Sequence, residues 1–163
     1  MAKGAGAFVK KKDCYPVLIG MERFDEKACR DLHKQLTCDS AVFLSGENSA
    51  GVMTGVLREL SALVTSRYHA AVLSMERGCP VAAVSMDERL DTLMKELAFE
   101  QDHLLHVNDA ELGRRLYRML VTADAQREAT REKIFLYTDE KKHELERMGV
   151  FMKEYLEKKL PAT

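Results

Sequence analysis

Ser66, Arg67 and His69 fall within four consecutive residues, directly behind the apolar run 62–65. Arginine carries a rigid guanidinium fork that matches a carboxylate or a phosphate. Histidine can take up or release a proton near neutral pH, and a serine hydroxyl both donates and accepts. At the start of a helix, such residues stand beside unpaired N–H groups and the positive end of the helix dipole. The chemistry is that of an anion site. Asp87 and Arg89 follow the next apolar run, 81–85, and Glu22 and Asp25 follow the first one, 17–21. Carboxylates in that position can handle substrate hydroxyls or protons. Each residue also has a plainer reading. Arg67 can bond a neighbouring carboxylate, and His69 can pack in the core with one nitrogen satisfied. Asp25 and Asp87 can cap helices, and Glu22 can stand in water.

The elements that position these residues are legible from apolar periodicity. Continuous apolar runs at 17–21, 41–45, 62–65, 81–85 and 104–107 predict buried strands. Helical patterns fill the gaps. Residues 25–36 put Cys29, Leu32 and Leu36 on one face, and residues 88–97 do the same with Leu90, Leu93, Met94 and Leu97. Residues 49–60 form a weaker helix containing Gly51 and Gly55, and residues 68–77 form a helix ended by Gly78. Strands recur about every 20–24 residues, the length of a strand, a helix and two loops. The expectation is an α/β domain over 16–108, with a parallel sheet of about five strands and helices on both faces. Ligands of such sheets sit outside the carboxyl ends of the strands, where the candidate residues fall. Residues 1–15 read as a flexible lead-in. Residues 109–163 read as a helical extension, opened by Asn108 with Glu111 three residues on as a capping box and broken near 123–132. These helices either pack on the sheet edge or reach a partner, including a second copy of the chain.

Composition bounds the function. Lys and Arg number 25 against 26 Asp and Glu, a net charge of −1, so nothing broadly attracts nucleic acid. The run Lys10-Lys11-Lys12 reads as solvated. Cys14, Cys29, Cys38 and Cys79 are scattered without metal-ligand spacing, which fits free thiols in a reducing compartment. No run approaches the length of a membrane span, and the first residues lack a secretory apolar core. A cytoplasmic protein without a transmembrane segment is the expectation. Gly46 to Gly51 imitates a phosphate-binding loop, but Val52 and Met53 stand where lysine and a hydroxyl residue are required. A phosphoreceiver needs a carboxylate where this chain has Thr65 or Ser66. His103 and His106 face opposite sides of an extended segment, and His33 and His143 lie on polar helix faces, so no metal is expected.

Ser-Arg-Tyr-His-Ala at 66–70, Gly-Cys-Pro-Val at 78–81, the apolar strand and Ser-Met-Asp-Glu-Arg at 85–89 resemble the polysaccharide pyruvyl transferase family. The likeness takes in Val-Leu-Ile-Gly-Met-Glu-Arg-Phe-Asp at 17–25 and spans residues 16–108. It departs from the family at Tyr68, where leucine is usual, and at 86–89, which lack the usual tyrosine and proline. The family fold is two Rossmann-like domains facing across a cleft, similar to GT-B glycosyltransferases, and the resemblance covers the C-terminal one. It implies a missing N-terminal domain, phosphoenolpyruvate as donor and no cofactor. The acceptor would be a polysaccharide or lipid-linked sugar of a bacterial cell envelope. It assigns His69 and Arg67 as candidate catalytic residues. Arg67, His69, Ser66, Asp87, Arg89 and Glu22 become candidate ligand-binding residues, and none holds metal. Two other readings remain. The same crevice suits the nucleotide-sugar half of a GT-B glycosyltransferase or epimerase, and the charged C-terminal helices suit a non-catalytic interaction module.

Overall fold

The computed structural model describes residues 2–159. The elements in chain order are α1 (Ala2–Lys12), β1 (Val17–Gly20), α2 (Asp25–Gln35), β2 (Ala41–Leu44), α3 (Ala50–Glu59), β3 (Leu63–Thr65) and α4 (Tyr68–Met75). They continue with β4 (Val81–Ser85), α5 (Glu88–Glu96), β5 (Leu104–His106), α6 (Leu112–Ala125) and α7 (Arg127–Lys159). Every strand pairing is parallel. No described helix is long and apolar enough to cross a membrane.

The strands form two ladders, β1–β2 and β3–β4–β5, rather than one five-stranded sheet. Apolar runs identify strands but not their bonding partners, which is why the single sheet was expected. The two ladders differ in cover. β4 is buried at all five positions. Val81 and Ala83 face a core made with Leu57, Met75, Leu90, Met94 and Ile134. Ala82 and Val84 face a second core with Leu105, Leu116, Met119 and Leu120. Helices thus cover both faces of this ladder. The β1–β2 ladder is only half-buried apart from Gly20 and Leu44, and α2 buries none of its residues completely. Ile19 and Met21 pack against the first core and tie this ladder to the rest.

Residues 2–12, expected as flexible, form α1 instead. Ala5 and Phe8 join the second core beside Leu112. A Cβ on Gly4 would stand 2.0 Å from the Gly113 carbonyl oxygen, so two glycines let the backbones of α1 and α6 touch. Lys12 bonds Asp124 at 2.7 Å. The lysine run therefore ends a helix, where cations are favoured, and is not wholly solvated. The expected capping box at Asn108 does not form. Glu111 takes a left-handed conformation, α6 starts at Leu112, and Asp109 accepts the His106 N–H instead. The break expected near 123–132 falls at Gln126, between α6 and α7.

Gly4→Ala should cost about 1–3 kcal/mol, the range of overpacking against backbone that cannot move freely. Gly55→Ala, on an exposed helical face with nothing within 4 Å, should stabilise by roughly 0.4–1 kcal/mol. Urea unfolding of the two variants checks the opposite signs. His103 supplies a pH prediction. It is buried, stacked on Phe99 and bonded through Nδ1 to the Val81 carbonyl. Burial lowers its pKa below the ordinary 6.5. The unfolded chain then binds more protons, so stability is full above that value and falls as pH drops through it. A melting series from neutral to acidic pH should show the fall, and His103→Gln should flatten it.

Candidate functional site

The candidate site is built where β1 and β3 end. Thr65 closes β3, and its hydroxyl accepts the Arg67 N–H at 2.9 Å while donating to the Arg67 carbonyl at 3.3 Å. This turn holds Arg67 extended as the residue that opens α4. Its guanidinium crosses to the end of β1. Nη2 donates to Asp25 Oδ1 at 2.5 Å, and Nη1 meets Glu22 Oε1 at 3.1 Å. Asp25 is not the cap expected for α2; Phe24 occupies that position without a side-chain cap bond. The Asp25 carboxylate turns back and accepts the Met21 and Glu22 N–H groups at 3.1 and 3.0 Å. Gly20 is needed here because a Cβ would stand 2.7 Å from Leu44 and 3.4 Å from Asp25. The hydrogen bond that Arg67 donates to Asp25, opposed by partial burial, holds the Arg67 pKa above its ordinary value.

The plainer reading of Arg67, a bond to neighbouring carboxylates, is therefore realised. The two carboxylates are unequal. Asp25 is 22% exposed and held by two backbone N–H groups, whereas Glu22 is 56% exposed. Ion pairs this open to water contribute little. Half of the guanidinium fork can exchange Glu22 for an oxygen of an incoming anion, while the Asp25 half stays anchored.

His69 is exposed on the first turn of α4, edge-on to Tyr68 with ring centroids 5.7 Å apart. It is not a packed core histidine. Ser66 is half-buried between β3 and α4. Asp87 caps α5, accepting the N–H groups of Arg89 and Leu90 at 3.0 and 3.3 Å. The bond from the Arg89 guanidinium, also 3.0 Å, is the main cause of its lowered pKa. Asp87 also favours the charged form of Arg67, so it faces the same edge. Arg89 stacks over the Tyr68 ring at 5.9 Å. Glu22, Ser66, Arg67, His69, Asp87 and Arg89 thus all lie at the carboxyl ends of β1, β3 and β4. Arg67 bonds Glu22 and Asp25 across the strand ends, and Arg89 bonds Asp87 within the turn after β4.

A cavity of about 360 Å³ adjoins this edge, walled by Tyr68, Arg89, Thr92, Glu96 and Tyr137 among others. Tyr137 donates to Glu96 at 2.6 Å, and burial with this carboxylate pushes its hydroxyl pKa well up. Sequence reasoning missed this wall. Tyr137 reaches it only because α7 folds back across α4, and no periodic signal marks that return. Among the described residues, no three His, Cys, Asp or Glu side chains are grouped to hold a metal ion. The 46–51 turn presents no cation of its own; its Glu47 bonds Arg30.

Arg67→Ala and Asp25→Ala should each lower the melting temperature by a few degrees. Their double variant should show a coupling of roughly 0.5–1 kcal/mol, because the pair is partly exposed. Thermal denaturation of the four-member cycle measures it. No protein-family model matches this chain, and neither a curated protein nor a solved structure is significantly similar to it.

Proposed function

We propose that this chain is the donor-binding half of a protein similar to polysaccharide pyruvyl transferases, with phosphoenolpyruvate as its ligand. The observation that carries the reading is the Arg67 fork, anchored by Asp25 and exchangeable at Glu22, at the carboxyl edge of parallel strands. The motif likeness over 66–89 adds to it. In this reading the two ladders are parts of one Rossmann-like layout with β1 beside β3. The Arg67 bonds to Asp25 and Glu22, and the packing of Ile19 and Met21 on the main core, support that arrangement.

Arg67 Nη1 would hold the phosphate or carboxylate of the donor once Glu22 swings aside. His69, exposed beside it, would be a second anion ligand or the general acid that delivers a proton to the methylene carbon. The adjacent carbon then becomes electrophilic. Two sugar hydroxyls add to it in turn, phosphate departs, and their protons pass to base or solvent. A freed Glu22 carboxylate is placed to accept one. Ser66, Asp87 and Arg89 would line the donor. The N-terminal domain of such an enzyme would supply the opposite wall and the acceptor sugar, so this chain alone should form no ketal. Substrates of this class would be met in the cytoplasm of a cell that builds envelope polysaccharide.

A second reading, the nucleotide-sugar half of a GT-B enzyme, is favoured by the cavity with Tyr68, Arg89 and Tyr137, since rings and a guanidinium suit a base and a diphosphate. Calorimetric titration with phosphoenolpyruvate and uridine diphosphate separates the two. Phosphoenolpyruvate should bind the chain weakly. Arg67→Ala should weaken it by about 1.5–3 kcal/mol, His69→Ala should weaken it too, and Glu22→Gln should tighten it by removing the internal competitor. Equal binding by all variants would reject the site, and a clear preference for uridine diphosphate would favour the second reading.

A further inference from the structure

The 33 residues of α7 span about 50 Å at 1.5 Å per residue. Thr130 and Ile134 are buried against the domain, and Tyr137 packs on the same core. Beyond them the helix leaves the domain, and residues 145–159 are all exposed. Leu145 and Met148 lie three turns past Ile134 and Tyr137, on the same face. Met152 and Tyr155 continue that face at alternating three- and four-residue steps, with Phe151 and Leu156 on its flanks. These six residues are each 46% exposed or more. That spacing is a coiled-coil seam with Leu145, Met148, Met152 and Tyr155 as its knobs.

We infer that this stripe binds a second copy of the chain, with two α7 helices crossing antiparallel about a two-fold axis near Gly149. The flanking charges select this arrangement. With Leu145 opposite Tyr155 and Met148 opposite Met152, Glu144 meets Lys158 of the other copy, and two-fold symmetry makes that pair twice. Farther from the seam, Glu146 falls beside Lys153 and Arg147 beside Glu154, again opposite in sign. Phe151 meets its own symmetry mate, and Gly149, with nothing within 4 Å, lets the backbones approach there. One like-charge meeting, Lys141 with Lys159, falls at the ends of the seam, where both reach water and Lys141 already has Glu144 at 3.1 Å. A parallel pair aligned in register opposes none of these charges across the seam: Glu144 would face Gly149 and Phe151 would face Leu156. The overlap of 144–158 is about two heptads, roughly 22 Å, so the dimer is weak and concentration-dependent.

Sedimentation velocity of the full chain from about 1 μM to about 1 mM should show a monomer–dimer equilibrium. Leu145→Glu and Met152→Glu should abolish it without changing the melting temperature, because neither residue touches the domain. Glu144→Lys or Lys158→Glu alone should weaken the dimer roughly three- to five-fold, and the double swap should restore it. In a chain with Cys14, Cys29 and Cys38 changed to Ser, Phe151→Cys should crosslink to itself on oxidation and Lys158→Cys should not. Equal crosslinking at both positions, or no rescue by the double swap, would overturn the antiparallel register. A monomer at every concentration would overturn the dimer and leave the stripe to a different protein or domain.

Discussion

Among the described residues, the Arg67 guanidinium carries the side-chain hydrogen bonds between the two ladders, which no backbone ladder joins. Its bond to Asp25 spans from the end of β3 to the end of β1, and Asp25 is itself fixed by the Met21 and Glu22 N–H groups. A chain of bonds therefore runs from the Thr65 hydroxyl through Arg67 to the β1–α2 turn. Beside it, Ile19 and Met21 pack on the first core, while α2 contributes no fully buried side chain. The residue proposed to grip an anion is also the one that bridges the two ladders. In the proposed function, stability and ligand binding would be coupled at that point.

In the proposed function, this double duty would give the unequal carboxylates a reason. A clamp that released both partners to bind a ligand would give up every bond it makes to the β1–α2 turn. Here Asp25 is anchored and Glu22 is not, so one nitrogen of the fork keeps the fold while the other stays open to exchange. The β3–β4–β5 ladder behind the clamp is more deeply buried. β4 is sealed on both faces, and the glycine contact between α1 and α6 closes the second core.

Much of this was legible in the chain. The five strands fall within a residue or two of the apolar runs, although only β4 is buried at every position and β1 and β2 are half-buried. Asp87 caps α5 as its position just before an amphipathic run implies. The grouping of Arg67, Asp87 and Glu22 at one edge follows from strands that all point the same way. Other features had no local signature. That β1 and β3 share no ladder depends on spacing between layers, which periodicity does not encode. Asp25 looked like a cap because a cap and a clamp use the same residue at the same place. The helix at 2–12 was hidden by its glycines, which ordinarily weaken helices and here serve close packing. Tyr137 lies 69 residues from Tyr68 in the chain yet walls the same cavity, a relation only the return of α7 creates.

The cysteines, which take no part in the candidate chemistry, acquire a use from where they lie. Cys14 and Cys38 are exposed, while Cys79 is sealed at the start of β4. Burial pushes the Cys79 thiol up to about 11, although Arg127 and Arg131 from α7 favour its ionised form. A thiol-reactive label will therefore mark Cys14 and Cys38 at once. It will mark Cys79 only in molecules where α7 has lifted or β4 has come free. The ratio of the two signals is a clock for opening at the centre of the domain, readable by mass spectrometry without adding any residue to the chain.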